Sequence, residues 1–134
     1  MSARAYDIMR ELPAIFATVS GLETADVEIG YRDPAKIEAA ELPRVLVYNP
    51  STDESDPPVF GLRVVEFGFT ILVVDDVDTD EATLQLSEDM ATVLNAATLT
   101  NADTAFMNPG SIITDDKRQR AIVGAFLSAL WEGV

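Results

Sequence analysis

The strongest constraint on this chain is a strand-like alternation within residues 59–74. Apolar side chains take every second position, and polar residues or glycine lie between them; the apolar series is Val65, Phe67, Phe69, Ile71 and Val73. Successive side chains of a strand point to opposite faces of a sheet, so this spacing predicts a long strand with one buried face. A second strand-like segment, residues 44–48, comes shortly before it. We expect the two segments to pair as an antiparallel hairpin.

The connection between these two strands, residues 49–60, contains the polar segment STDESDPP. Loops of about twelve residues often carry function, and a minimal hairpin needs far fewer residues. We therefore predict that the hairpin tip is an interface. Its candidate residues are Asp53, Glu54, Asp56 and Phe60. The alternative is an acidic flap without a partner.

The N-terminal segment, residues 4–20, has the apolar spacing of a helix. Its apolar side chains fall on one helical face; they are Ile8, Leu12, Ile15, Phe16 and Val19. Ser2 is the expected cap and Gly21 the expected end. Because the apolar face stays in phase across Pro13, we expect a kink there rather than two separate helices.

The acidic segment 75–81 raises the question of a calcium site. Asp76, Asp78 and Asp80 alternate like the first ligands of an EF-hand loop. Such a loop needs a glycine at its sixth position, where this chain has Glu81, and it follows a helix rather than a strand. We therefore predict no metal site in this segment, and only diffusely held cations.

A helix start explains the same acidic segment better. Asp78 is the predicted N-cap, and Glu81 would complete a capping box. The helix is expected to run to about residue 98. Its predicted buried side chains are Leu86, Met90, Val93, Leu94 and Ala97.

The other elements are shorter or less certain. Residues 26–31 predict a short strand, residues 101–108 a loop, and residues 111–116 (SIITDD) another strand. The C-terminal segment 121–133 alternates like a strand, although Ile122, Phe126, Ala129 and Leu130 also have helical spacing; Gly124 and the β-formers favour the strand. The sequence therefore predicts a single α+β domain over residues 1–134, with an antiparallel sheet, a long hairpin and two helices on one face.

Composition excludes several functions. The chain of 134 residues has no Cys and no His, which removes thiolate and imidazole chemistry. No pair of carboxylates, nucleophile elbow or phosphate loop stands out, so we expect no enzyme, no catalytic residue and no cofactor. No apolar run is long enough to span a membrane. The net charge of −14 with only two lysines indicates a halophilic source, because molar salt screens such self-repulsion.

Two features near the C-terminus are further candidate interface elements. Lys117, Arg118 and Arg120 form the chain's basic cluster, which favours docking to an acidic surface; the alternative is a solvated turn beside Asp115 and Asp116. Trp131 is expected at the end of the buried strand face, and it is also a candidate interface anchor.

The order of these elements matches a known pattern. A helix ending in glycine leads to RVLVY, a long hairpin returns through LRVVEFGFTILV, the acidic helix DEATLQLSEDMATVLNAA follows, and the pair SIITDDKRQRAIVGAFLSALWE closes on an acidic residue. This layout resembles the tail terminator (tail-completion) proteins of long-tailed viruses. Because the chain is also strongly acidic, we expect the host of such a virus to be a haloarchaeon.

The resemblance implies a structural role in the virion. Such proteins form a ring, usually a homohexamer, on the last ring of the tail tube, where they stop polymerisation and join the tail to the neck. The implied partners are other copies of the chain, the tail tube protein and a neck or stopper protein, with DNA only in transit and no membrane. Assembly would occur in the host cytoplasm. The alternatives are another head–tail connector or a small acidic binding domain of a halophile.

Overall fold

In a computed structural model of the chain, the described residues are 3–54, 63–114 and 117–133. They form two α-helices and a six-stranded sheet, so the α+β class predicted from the sequence is confirmed. In chain order the elements are α1 (Arg4–Phe16), β1 (Val27–Ile29), β2 (Arg44–Glu54), β3 (Arg63–Asp76), α2 (Asp80–Ala96), β4 (Thr104–Met107), β5 (Ser111–Ile113) and β6 (Arg120–Gly133).

The sheet is built around two long central strands. Its order is β1-β2-β3-β6-β4, and β5 also pairs with β6. The predicted hairpin of β2 and β3 is confirmed, and β6 is a strand that pairs antiparallel with β3 along its whole length. The prediction of a purely antiparallel sheet is wrong, because β1 runs parallel to β2. The connection of residues 30–43 returns the chain to the start of β2, so both strands run in one direction.

One face of the sheet is covered by both helices, as the sequence predicts. The alternating apolar side chains of β3 are all buried on this face. The helical side chains that pack against them include Ile8, Leu12 and Phe16 from α1 and Met90 and Leu94 from α2. Burial of each such side chain stabilises the fold by roughly 1.5–3 kcal/mol. Of the other predicted α2 residues, Leu86 and Val93 are half-buried at the edge of this cluster.

The opposite face is covered only in part. Ile37, from the connection between β1 and β2, is buried there against Leu46, Leu72 and Val74. The segment that the sequence leaves ambiguous, residues 36–42, is therefore two short 3-10 turns that cover one end of this face. The rest of the face, towards β6 and β4, carries exposed side chains.

Two predicted helix boundaries are wrong. Helix α1 ends at Phe16 rather than near residue 20, and its N-cap is Ala3; Ser2 lies outside the described residues. Helix α2 has Thr79 as its N-cap, and no side chain makes a capping hydrogen bond there. Asp78 does not cap the helix, because its φ of 69° places it in the left-handed region before the helix begins.

Two predicted loops contain strands. Residues 104–107, predicted as loop, form β4 on the edge of the sheet. Strand β2 continues to Glu54, six residues beyond Tyr48. The strand continues through a register shift between Tyr48 and Ser51. Such a bulge accommodates Pro50, which lacks the amide hydrogen that a regular ladder of strand hydrogen bonds needs.

Candidate interaction surfaces

The end of the β2–β3 hairpin, which we call the hairpin arm, brings two of the predicted interface residues, Glu54 and Trp131, close to Arg63. Trp131 packs at the margin of the helix-covered core, as predicted for its strand. The guanidinium groups of Arg4 and Arg63 lie 4.2 and 6.0 Å from the centre of its ring. Arg63 also donates hydrogen bonds of 2.6 and 3.1 Å to Glu54. These bonds hold the pKa of Glu54 below its ordinary value. Asp53 lies next to Glu54.

Asp53 lies on the other face of the arm. It is exposed and sits directly opposite Glu66, which accepts a hydrogen bond of 2.9 Å from the Ser128 hydroxyl. Like charges in opposite positions of neighbouring strands destabilise the pair. This corner of the sheet therefore carries concentrated negative charge. The two other predicted tip residues, Asp56 and Phe60, lie outside the described residues.

The basic cluster lies at the far end of the sheet from the hairpin arm. Arg120 is opposite Asp76 at one end of β6, whereas the arm begins at the other end, where Arg63 is opposite Gly133. The structure therefore does not bring these two predicted elements together. Lys117 is exposed in the turn before β6.

The arginines of the basic cluster have partners within the protein. Arg118 forms ion pairs of 3.3 and 3.4 Å with Asp78 and Asp80. These partners raise the pKa of Arg118 above its ordinary value. Arg120 donates a hydrogen bond to the Ile37 carbonyl. Arg118 thus ties the last turn to the start of α2, and Arg120 ties β6 to the connection before β2. The role of the cluster as a docking patch stays a prediction.

The acidic segment before α2 uses its polar groups locally. The Thr79 hydroxyl donates a hydrogen bond of 2.6 Å to the Asp76 carbonyl, and the Thr83 hydroxyl donates one of 2.8 Å to the Thr79 carbonyl. Together with the ion pairs of Arg118, these contacts hold the turn before α2 in place. This structural role accounts for the concentration of acidic residues there. In the parts of the chain that the structure describes, no group of three or more acidic side chains is arranged to hold a metal ion.

The largest feature that sequence reasoning missed is an apolar surface on the open face of the sheet. We call it the sheet stripe; its members are Thr70, Phe106, Ile113, Phe126 and Leu130. The side chains of Phe106 and Phe126 are 56% and 48% exposed, and Ile113 and Leu130 are also exposed. Adjacent exposed apolar side chains of this size mark interaction surfaces more often than isolated ones do.

Glycines within the strands leave room for two side chains of the sheet stripe. Phe126 lies over Gly68, because a Cβ added there would come within 2.6 Å of Phe126 Cζ. Ile113 lies over Gly124 in the same way, with its Cδ1 2.7 Å from an added Cβ. A glycine inside a strand marks a site of close approach, so both glycines were a sequence signal for this surface.

A second apolar surface adjoins the sheet stripe, because its residue Tyr48 lies directly opposite Thr70. We call it the tyrosine groove; its exposed members are Tyr6, Ile29 and Tyr31, and its floor includes Tyr48. The groove has a volume of about 400 Å³. The ring centres of Tyr31 and Tyr48 are 5.1 Å apart. Burial, and secondarily the neighbouring Tyr31, raises the pKa of Tyr48 above its ordinary value.

Most of the arginines are paired with carboxylates of the same chain. Arg10, Arg32, Arg44, Arg63 and Arg118 each lie within 4.0 Å of a carboxylate oxygen. The surplus of acidic residues therefore determines the charge of the surface. The sheet stripe and the tyrosine groove are apolar surfaces, on which a contact does not require acidic side chains to meet.

No protein-family model matches the sequence. No curated protein is significantly similar to it either. Neither helix of the described structure is long and apolar enough to cross a membrane.

Proposed function

We propose that this protein is a structural component of a long-tailed haloarchaeal virus, which forms a ring at the head-proximal end of the tail tube. The observation that carries the proposal is the exposed sheet stripe on a protomer with a net charge of −14. In molar salt the charges are screened within about 3 Å, while apolar burial remains favourable. Such a surface supports self-assembly under those conditions.

The layout of the chain supports the position on the tail. A small domain with a long β2–β3 arm, a single acidic-start helix and a closing strand pair resembles a tail terminator, and the structure contains each of these elements. In this role the ring ends polymerisation of the tail tube protein and binds a neck or stopper protein. The proposal assigns no catalytic, metal-binding or cofactor-binding residue.

The acidic surface also fits a channel through which DNA moves. Phosphate binding needs clustered lysine and arginine, and five of the arginines are already paired with carboxylates. An acidic channel wall repels phosphate, so DNA in transit is not retained. The proposed site of action is the virion neck, after assembly in the host cytoplasm.

Tail tubes provide the test of this role. Purified tail tubes from a long-tailed haloarchaeal virus are incubated with the protein in molar KCl and imaged by electron microscopy. We expect a ring on one end of each tube and no further growth when tube protein is added. Tubes that stay bare and continue to grow in the presence of preformed rings would exclude the terminator role and leave another head–tail connector.

The second candidate is a small acidic binding domain. The tyrosine groove favours it, because an apolar groove lined by aromatic side chains is typical of small-ligand and peptide sites. A protein that stays a monomer in molar salt and binds no tube would favour this alternative.

A further inference from the structure

A cavity lies where the hairpin arm meets the start of α1. It has a volume of about 350 Å³, and residues of α1, β2, β3 and β6 line it. Its wall includes the buried side chains of Val65 and Phe67 and the ring of Trp131. We call it the arginine–tryptophan cavity, because Arg4 and Arg63 also line it. An apolar cavity of this size with a few polar groups is typical of small-ligand sites.

Arg4 supplies this cavity with a positive charge. Its guanidinium lies 4.2 Å from the centre of the Trp131 ring and donates a hydrogen bond of 3.3 Å to the Asn101 carbonyl. Among the residues that the structure describes, no carboxylate oxygen lies within 4.0 Å of it. A guanidinium has several N–H donors, and a single neutral carbonyl leaves most of them for a ligand.

The carboxylate in the cavity wall is already engaged. Glu54 is the single acidic residue among the lining residues, and Arg63 donates hydrogen bonds of 2.6 and 3.1 Å to its two oxygens. The charges of Glu54 and Arg63 therefore offset each other, and Arg4 determines the sign of the cavity. On a chain with a net charge of −14, this cavity is a local site for an anion rather than a cation.

We propose that the arginine–tryptophan cavity binds a small carboxylate that carries an apolar group. The carboxylate accepts charge-assisted hydrogen bonds from Arg4. The apolar group packs against Val65, Phe67 and Trp131. A free organic acid and the C-terminal residue of a partner protein both offer this chemistry. The site does not depend on the proposed ring or on its place in a virus.

The fluorescence of Trp131 measures binding directly, because it is the only tryptophan of the chain. The probe is phenylacetate, titrated into the protein in molar KCl, which screens the general repulsion of anions by an acidic chain. We expect a saturable change in emission. Phenylacetamide lacks the charge and acetate lacks the ring, so each should bind more weakly than phenylacetate. No saturable change, or equal binding of the acid and the amide, would overturn the proposal.

Substitution of Arg4 tests the role of its charge. Arg4→Gln should weaken phenylacetate binding about fivefold, as expected for a partly exposed ion pair, and Arg4→Lys should retain more of the affinity. Arg10→Gln is the matched control, because it removes the same charge from the same helix outside the cavity. Circular dichroism verifies folding; if Arg4→Gln does not fold, the comparison of acid and amide on the parent protein decides. Equal affinities of Arg4→Gln and Arg10→Gln would contradict the proposal.

A dipeptide distinguishes the two sources of the carboxylate. N-acetylglycyl-phenylalanine presents the carboxylate and the aromatic ring at the end of a peptide chain. If it binds at least as tightly as phenylacetate, the cavity accepts the C-terminus of a partner protein. If it binds more weakly, the cavity selects a free acid. Either result supports a carboxylate site, whereas failure of both probes to bind excludes one and leaves the proposed ring untouched.

Discussion

The ring of Phe126 lies across the backbone of Gly68, on the face of the sheet that the helices leave open. A Cβ added to Gly68 would approach Phe126 Cζ to 2.6 Å and Ser51 Oγ to 2.7 Å. Replacing a strand glycine with alanine ordinarily stabilises a protein by roughly 0.5–1 kcal/mol. We expect Gly68→Ala instead to lower the midpoint of urea unfolding, because it displaces the aromatic ring.

Ser128→Ala is the matched control for that variant. Ser128 is directly opposite Gly68, and the change places no new atom under the ring. It removes the exposed hydrogen bond to Glu66 but displaces no ring, so it should lower stability less than Gly68→Ala does. If Gly68→Ala raises the urea midpoint, the ring does not lie over Gly68 in solution.

The backbone of Asp78 predicts a graded response to substitution. Its φ of 69° lies in the left-handed region, which Gly, Asn and Asp adopt more readily than Ala does. Asp78→Asn keeps this conformation and loses one exposed ion pair with Arg118, which contributes little to stability because water and salt screen it. Asp78→Ala adds backbone strain of about 1–2 kcal/mol. Urea unfolding of the two variants compares them directly; equal stabilities would contradict this account of the turn.

The Arg63–Glu54 ion pair predicts a pH dependence. The hydrogen bonds from Arg63 hold the pKa of Glu54 below its ordinary value of 4.5. The stabilisation from a lowered carboxyl pKa is complete above the unfolded value and is lost as the pH falls through the folded value. We expect Arg63→Gln to raise the pKa of Glu54 towards 4.5 in a carbon-13 NMR titration.

Arg10→Gln is the control for this titration, since Arg10 pairs with Asp7 on α1 and lies away from Glu54. It should leave the Glu54 titration unchanged. An unchanged Glu54 pKa in Arg63→Gln would show that the ion pair does not form in solution.

The charge surplus predicts that salt stabilises the fold. With 23 acidic and nine basic residues, self-repulsion is strong in dilute buffer and is screened in molar KCl. We expect the thermal midpoint to rise steadily from low to molar KCl. Sulfate is avoided, because it strengthens apolar burial in any protein. A flat or falling midpoint in KCl would argue against a halophilic origin.

The sequence predicted the elements that depend on local periodicity. The alternation from Val65 to Val73 determined the buried face of β3, and the alternation after Ala121 identified β6 as a strand. The spacing of Met90 and Leu94 identified the buried side of α2. These patterns involve residues that are close together in sequence, so they can be recognised without knowledge of the sheet order.

Features that depend on tertiary partners were not predictable in this way. Thr83 and Ser87 are buried polar residues of α2, because their hydroxyls donate hydrogen bonds to the carbonyls of Thr79 and Pro109. Strand β4 exists because β6 offers it a partner along Leu127–Leu130. The sheet stripe arises from four strands, β3, β4, β5 and β6, and only the glycines beneath it gave a local signal.

The particle mass of the unmodified protein in molar KCl tests the central claim most directly. Size-exclusion chromatography with multi-angle light scattering should give one discrete species, a closed ring of several protomers, with a hexamer as the expected state. The mass of this species should not fall on moderate dilution. A single-chain mass at every concentration and salt level would contradict the account.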